Sequence, residues 1–269
     1  MPKIRVNNVG IYYEVAGQGE PLLFIHGLAS SSRSWKKQVP FFAQHYRVIT
    51  FDIRGHGHSD RPLREPYSIK LFAADAVELM RALGIDSAHV VGFSMGGMIG
   101  FQLAVDVPKI VTSLVAVNCC PEGSMRTFND GVECFKHIFF LPFNGMRNKV
   151  QNGVKQPEST SDRSPSPQSV IQRMAVNNKL AYANAFGALV KWSVADHLGA
   201  IKCPTLMIAS DADFVPVSIK AGYVSKMPDA RLVVINNARH ATPREQADEF
   251  NAMLLEFLSQ HSRRDAAVR

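Results

Sequence analysis

The stretch Val90-Val91-Gly92-Phe93-Ser94-Met95-Gly96-Gly97 constrains this chain more than any other. An apolar run enters it, a helix-like run leaves it, and a serine stands between two glycines. Gly-x-Ser-x-Gly is the pattern of a nucleophile elbow, in which a strand turns abruptly into a helix and the serine sits strained at the apex. Gly92 and Gly96 flank Ser94 where a Cβ would collide across so tight a turn. Met95 opens the helix, so its N–H has no intrahelical partner and faces the same space as the serine hydroxyl. A five-residue pattern with three fixed positions also arises by chance. A functional reading therefore needs an anion-stabilising loop upstream and an acid and a histidine downstream.

The rest of the chain supplies a frame for it. Ile4-Arg5-Val6 and Ile11 to Val15 are short β-prone runs around Asn7-Asn8-Val9-Gly10, a hairpin signal. Leu22-Leu23-Phe24-Ile25 is continuously apolar, as a strand buried on both faces requires. Tyr46–Phe51, His89–Phe93, Val111–Val117, Thr205–Ala209 and Leu232–Ile235 repeat the theme. Between them lie helical segments. Trp35 to Ala43 reads as a short helix. Apolar residues at 69, 72, 73, 76, 77, 80 and 83 give helical spacing up to Gly84. Met95–Val105, Val217–Lys226 and a last helix striped by Phe250, Met253, Leu254, Phe257 and Leu258 complete the set. Alternating buried strands and helices predict an α/β fold with a mainly parallel sheet covered on both faces. Ligand chemistry then belongs at the carboxyl ends of the strands.

Pro121 to Ala195 breaks the alternation with Gly/Pro punctuation, the aromatic run Cys134–Leu141, a polar stretch from Asn144 to Ser169, and a helical pattern from Val170 to Trp192. A segment that long inside an α/β core is expected to cover a site. The division is therefore a core of residues 1–120 and 196–262, an inserted cap at 121–195, and a basic tail at 263–269.

Three chemically suited residues each follow a strand. Ser94, Asp213 and His240 come in the order serine, acid, histidine, the order of the elbow-bearing hydrolases. A serine hydroxyl is a poor nucleophile until a neutral imidazole takes its proton. The imidazole holds the useful tautomer when Nδ1–H is donated to a buried carboxylate. His240 and Asp213 are assigned those roles. The oxyanion needs two donors, assigned to the backbone N–H groups of Met95 and of Leu28, in the loop after Leu22–Ile25. His26 and Gly27 support that loop, with His26 a brace instead of a base. Asp211, close to Asp213, reads as a loop or capping carboxylate. Phe93, Trp192 and Phe214 are candidate pocket residues, although Trp35 and Trp192 also suit packing, and His137 suits packing in the cap. His56 and His58 sit in a Gly-rich turn where local hydrogen bonds suit them better than a metal.

Bulk properties exclude other classes. No apolar run reaches the ~20 residues that span a bilayer. Met1 to Val6 has no apolar signal core, so a cytoplasmic chain with reduced thiols at Cys119, Cys120, Cys134 and Cys203 is expected. The net charge of +7 partly reflects eight basic and three acidic residues between Arg147 and Lys202, and a cluster of His261, Arg263, Arg264 and Arg269. No basic run interleaved with aromatics marks a nucleic-acid surface. No Gly-x-x-x-x-Gly-Lys-Ser/Thr loop is present, and Gly55–Asp60 lacks the third glycine of a dinucleotide fingerprint.

His26-Gly27, Asp52-x-Arg54-Gly55-His56-Gly57-x-Ser59, Gly92-x-Ser94-x-Gly96-Gly97, Asp213 and His240 together resemble the α/β-hydrolase superfamily over nearly the whole chain. Within it the sequence is similar to small carboxylesterases and 3-oxoadipate enol-lactonases. The resemblance implies an eight-stranded sheet, a helical cap after the sixth strand, and no cofactor or metal. Ser94 in place of an aspartate separates the chain from the haloalkane dehalogenase and epoxide hydrolase branches. The expected activity is a serine hydrolase taking small esters or lactones through an acyl-enzyme. An enol-lactonase drawn to dicarboxylate-like substrates, a carbon–carbon bond hydrolase, and a non-catalytic ligand receptor on the same fold are the alternatives. The expected partner is a small-molecule substrate, with no nucleic acid and no membrane; the oligomeric state stays open.

Overall fold

The computed structural model describes residues 2–123, 179–190 and 192–262. Eight strands form one sheet: β1 (Lys3–Val6), β2 (Val9–Ala16), β3 (Pro21–Ile25), β4 (Arg47–Phe51), β5 (Ala88–Phe93), β6 (Val111–Val117), β7 (Thr205–Ser210) and β8 (Ala230–Ile235). Their order is β1-β2-β4-β3-β5-β6-β7-β8. The hairpin β1–β2 and the β2–β4 pair are antiparallel. Every other pair is parallel. The helices are α1 (Val39–Phe42), α2 (Ile69–Ala82), α3 (Met95–Asp106), α4 (Lys179–Gly187), α5 (Val217–Val224), α6 (Thr242–Glu245) and α7 (Ala247–Gln260). The architecture is the mostly parallel α/β sheet that the sequence predicts.

The continuous apolar strands are explained by two separate cores. Leu23 and Ile25 of β3 face Phe72, Leu79 and Ile99 from α2 and α3. Leu22 and Phe24 face the other way, onto Trp35, Phe42, Phe250 and Phe257. Side chains alternate across a strand, so a strand between two helical layers is predominantly apolar on both faces; the buried polar residues His89 and Ser113 pair with each other at 2.7 Å. Burying each such side chain fully contributes roughly 1.5–3 kcal/mol. Helix α2 starts where Ser68 Oγ accepts the Leu71 N–H at 3.0 Å, a cap of the usual kind. It ends before Gly84, whose φ of +65° suits a left-handed helix stop.

Two local expectations change. The hairpin turn needs only Asn7 and Asn8, with φ of 45° and 62°, because a two-residue turn with both φ positive matches strand twist. Val9 and Gly10 therefore belong to β2. Trp35–Ala43 is not one helix but a 3-10 turn at Ser32–Trp35 followed by the four-residue α1. Pro40 stands in the first turn of α1; without an N–H it starts a helix but cannot sit inside one.

After β6 the chain leaves the core at Pro121–Gly123 and returns at Trp192–Val194. The two ends are stitched together. The Gly123 N–H donates to Trp192 O at 2.7 Å, and the Val194 N–H donates to Pro121 O at 2.8 Å. Glu122 and Ser193 form an antiparallel bridge, and Tyr223 Oη of α5 donates to Glu122. Of the expected cap helix from Val170 to Trp192, α4 is described. Cys134, His137, the 144–169 stretch, residues 170–178 and the 263–269 tail lie outside the described residues. Among the described residues no helix is long and apolar enough to cross a membrane.

Candidate active site

Three strand ends and one loop converge at the carboxyl edge of the sheet. At the end of β5, Ser94 adopts φ 54° and ψ −121°. A non-glycine residue in that region is strained by about 1–3 kcal/mol and persists only where its surroundings enforce it. The enforcement is visible. The Ser94 N–H donates to Val117 O at the end of β6 (2.9 Å), and Ser94 O accepts from Gly97 N–H at 2.8 Å. A Cβ on Gly92 would lie 2.2 Å from Gly96 O, and a Cβ on Gly96 2.1 Å from Ile25 O. The elbow closes only because both positions lack side chains.

The loop after β3 packs directly on the elbow, with the Cβ position of Gly27 3.2 Å from Ser94 Cβ. Leu28 follows. Among the described residues, neither the Leu28 N–H nor the Met95 N–H donates a hydrogen bond. Met95 follows Ser94 in the chain, and Leu28 follows Gly27, which packs against the Ser94 side chain. His26 is fully buried. Its Nε2 accepts the Ile53 N–H at 3.0 Å, and Nδ1 donates to Gly27 O at 2.8 Å. Both ring nitrogens are thus committed to backbone.

The Asp52–Ser59 motif braces this loop from below. Asp52 accepts the N–H groups of Ser32 and His58, each at 2.7 Å, and Arg54 forms a buried pair with Asp75, its Nη2 2.6 Å from Oδ1. The His56 Nδ1 contacts Arg54 O at 3.1 Å. No group of three or more metal-ligating side chains occurs among the described residues.

Asp213 and His240 stand together. The carboxylate is fully buried, and its Oδ1 accepts His240 Nδ1–H at 2.8 Å. The Phe214 N–H donates to the same oxygen at 2.9 Å. Burial pushes the Asp213 carboxyl up, but hydrogen bonding to His240 and the charge of Lys220 outweigh it and hold the group below the usual carboxylate range. Asp211 is engaged elsewhere, accepting the Asn237 and Ala238 N–H groups at 2.9 and 3.1 Å. The His240 ring lies between Phe93 and Phe214, with centroids 5.0 and 4.5 Å away. Phe214 is 38% exposed. Among the described residues no hydrogen bond joins Ser94 Oγ to His240. Such contacts are often open without substrate and tighten on binding. Trp192 Nε1 donates to Gln102 Oε1 of α3 at 2.7 Å, which fastens the returning chain to the core.

A polar knot that sequence reading misses ties these loops together. Asn118 follows β6 with φ 45°. Its Nδ2 reaches His240 O and Thr242 Oγ1, both at 2.9 Å, and Ser210 Oγ at 2.7 Å. Its Oδ1 accepts the Ser210 N–H at 2.9 Å. Lys220 of α5, also buried, donates to Asp213 Oδ2. The only local signal is that Asn118, like Ser94 and Asp213, lies just beyond a strand.

Burial of His26 and His56 has a measurable cost at low pH. Burial, then the neighbouring His26, lowers His56 to about 3; burial lowers His26 as well. The unfolded chain binds these protons near pH 6.5 and the folded chain does not. Stability is therefore complete above about pH 6.5 and falls as pH drops toward the folded values, by about 1.4 kcal/mol per pH unit for each excluded proton. Urea unfolding from pH 7 to 5 should show this slope, and His56→Gln should remove one proton's share. An unchanged slope in that variant would place the uptake elsewhere.

Residues 20–166 match the family model described as alpha/beta hydrolase fold. The chain is 29% identical over 269 residues to the putative carbamate hydrolase RutD of Caulobacter sp. (strain K31), covering 93% of this chain and 96% of that one. Its fold is similar to the enol-lactonase from Burkholderia xenovorans LB400, with TM-score 0.77, 22% identity and coverage of 96% and 100%. It is also similar to Est816, described as an N-acyl homoserine lactone degrading enzyme, with TM-score 0.76, 28% identity and coverage of 95% and 100%.

Proposed function

Because the chain belongs to the alpha/beta hydrolase fold family, we propose that it is a serine hydrolase in which Ser94, His240 and Asp213 act as a triad. The observation that carries the reading is the 2.8 Å bond between His240 and the buried Asp213 carboxylate, at the same sheet edge as a serine held at positive φ. Ser94 Oγ attacks a carbonyl carbon as His240 Nε2 takes its proton. Asp213 holds the Nδ1–H tautomer and faces the imidazolium that forms. The N–H groups of Met95 and Leu28 receive the oxyanion. His240 then returns the proton to the leaving oxygen, and water repeats the sequence to release the acid.

Small carboxylic esters or lactones are the substrates that fit this chemistry, with residues 121–195 as a cap over the site and residues 1–120 and 196–262 as the core. The aromatic rings of Phe93 and Phe214 beside His240 favour an apolar group at the attacked carbonyl. The name of the Caulobacter relative favours a second reading, a carbamate. The same attack would form a carbamoyl-serine, whose nitrogen donates electrons into the carbonyl and slows its hydrolysis.

A fluorophosphonate probe should label Ser94, and Ser94→Ala should abolish labelling. Nitrophenyl esters of graded chain length, run beside N-acyl homoserine lactones and aryl carbamates, should show ester or lactone turnover exceeding carbamate turnover. A folded protein that takes no label would overturn the nucleophile. Faster carbamate turnover would select the second reading.

A further inference from the structure

The buried lysine beside the candidate acid has no part in the triad as described. Lys220 lies on α5, seven residues beyond Asp213, with its side chain fully buried. Its Nζ donates to Asp213 Oδ2 and lies 3.4 Å from Asn118 Oδ1. The two carboxylate oxygens are thus divided, Oδ1 to His240 and Phe214 N–H, Oδ2 to the ammonium. A solvated face explains most helical lysines, but this one has no exposure and takes its position from two buried acceptors. Unpaired, a buried ammonium is costly, so the pair with Asp213 is what holds it there.

We propose that Lys220 is a positioning residue for the triad: it fixes Asp213 through Oδ2 so that Oδ1 faces His240, and it neutralises the carboxylate so that the resting imidazole stays free to accept a proton. The inference rests on the triad reading above and deepens it. The Lys220 ammonium offsets the Asp213 charge beside the imidazole. Without it, one uncompensated negative charge remains beside the imidazole in a poorly solvated site. Such a charge favours proton uptake by the pair, and a protonated imidazole cannot activate Ser94. The groups facing Asp213 are few: His240 on its loop, Lys220 on α5, and the Cys119 and Cys120 thiols after β6. Burial raises both thiols, Cys120 to about 12, so they stay neutral and do not replace the lysine charge. Phe93 and Phe214 beside the imidazole are uncharged, and the Arg239 guanidinium next to it in sequence pairs with Glu245 at 3.3 Å.

The test is the rate of Ser94 labelling by a fluorophosphonate probe as a function of pH, which reads activation of the serine whatever the natural substrate. Lys220→Met should raise the pH at which labelling falls off by about one unit or more, and should slow labelling by roughly tenfold at pH values below the parent's fall-off. Lys220→Arg, which keeps the charge, should restore the parent profile. A structural role alone would lower yield or thermal stability without moving the profile. If Lys220→Met does not fold, Lys220→Gln keeps a donor for Oδ2 without the charge, and the same shift is expected. A folded Met or Gln variant whose profile overlays the parent's overturns the proposal. His240→Ala and Asp213→Asn run in parallel separate the two readings. Labelling that survives in both removes the triad itself, whereas its loss in both beside an unmoved Lys220→Met profile removes only the role of Lys220.

Discussion

Replacing His240 by alanine is expected to lower kcat/KM toward a small nitrophenyl ester by at least about a thousandfold while the protein stays folded. In the proposed mechanism the imidazole, hydrogen-bonded to Asp213, is the proton acceptor for Ser94, so its loss leaves the serine unactivated. His26, the other nearby histidine, cannot substitute because both its ring nitrogens bind backbone. The fold should tolerate the change. The His240 side chain is 16% exposed, and the loop keeps the bond from Asn118 to its backbone carbonyl when the ring is removed. Steady-state kinetics beside a thermal melt separate the two effects. A near-parental rate with an unchanged melt would place the general base elsewhere. In the proposed mechanism some activity above background should remain, because Ser94 and the N–H groups of Met95 and Leu28 are untouched.

Gly96→Ala is expected to be strongly damaging to the fold. The added Cβ would lie 2.1 Å from Ile25 O and 2.8 Å from His26 O. Both are backbone atoms of β3 and the loop after it, which cannot swing aside as a side chain can. Helix α3 would have to move off the sheet, taking Ser94 and the Met95 N–H with it. A loss of about 3 kcal/mol or more is expected, a fall in Tm of about 10 °C for a chain of this size, together with loss of Ser94 labelling. Gly222→Ala is the control. Its Cβ meets nothing within 4 Å, and it lies inside α5, where alanine outperforms glycine by up to about 1 kcal/mol. A Gly96→Ala protein as stable as the parent would show that the elbow can relax, contrary to the geometry.

The sequence makes the sheet legible because strands buried on both faces are predominantly apolar, and the short apolar runs ending at Ile25, Phe93 and Val117 are bounded by turn residues. It makes the candidate site legible because Ser94, Asp213 and His240 each lie just past a strand, in one order, with a glycine pattern marking the first. The knot of Asn118, Ser210, Thr242 and Lys220 was not legible. Its bonds join residues 32 to 124 positions apart, and no local period records a long-range polar contact. A lysine on a short helix is indistinguishable from a solvated one until the neighbouring strand ends are in place. Trp35–Ala43 is not one continuous helix because Pro40, which lacks an N–H, limits where a helix can begin.

The stitched neck at Pro121–Gly123 and Trp192–Val194 has a consequence for how such a chain can diverge. Exit and re-entry are fixed by backbone bonds, and the returning chain is seated in the main core, where Ala181, Ala185, Phe186 and Leu189 are buried. Those four positions therefore cannot be rewritten freely across descendants, any more than Asn118, three residues before the exit, whose bonds reach the strand ends.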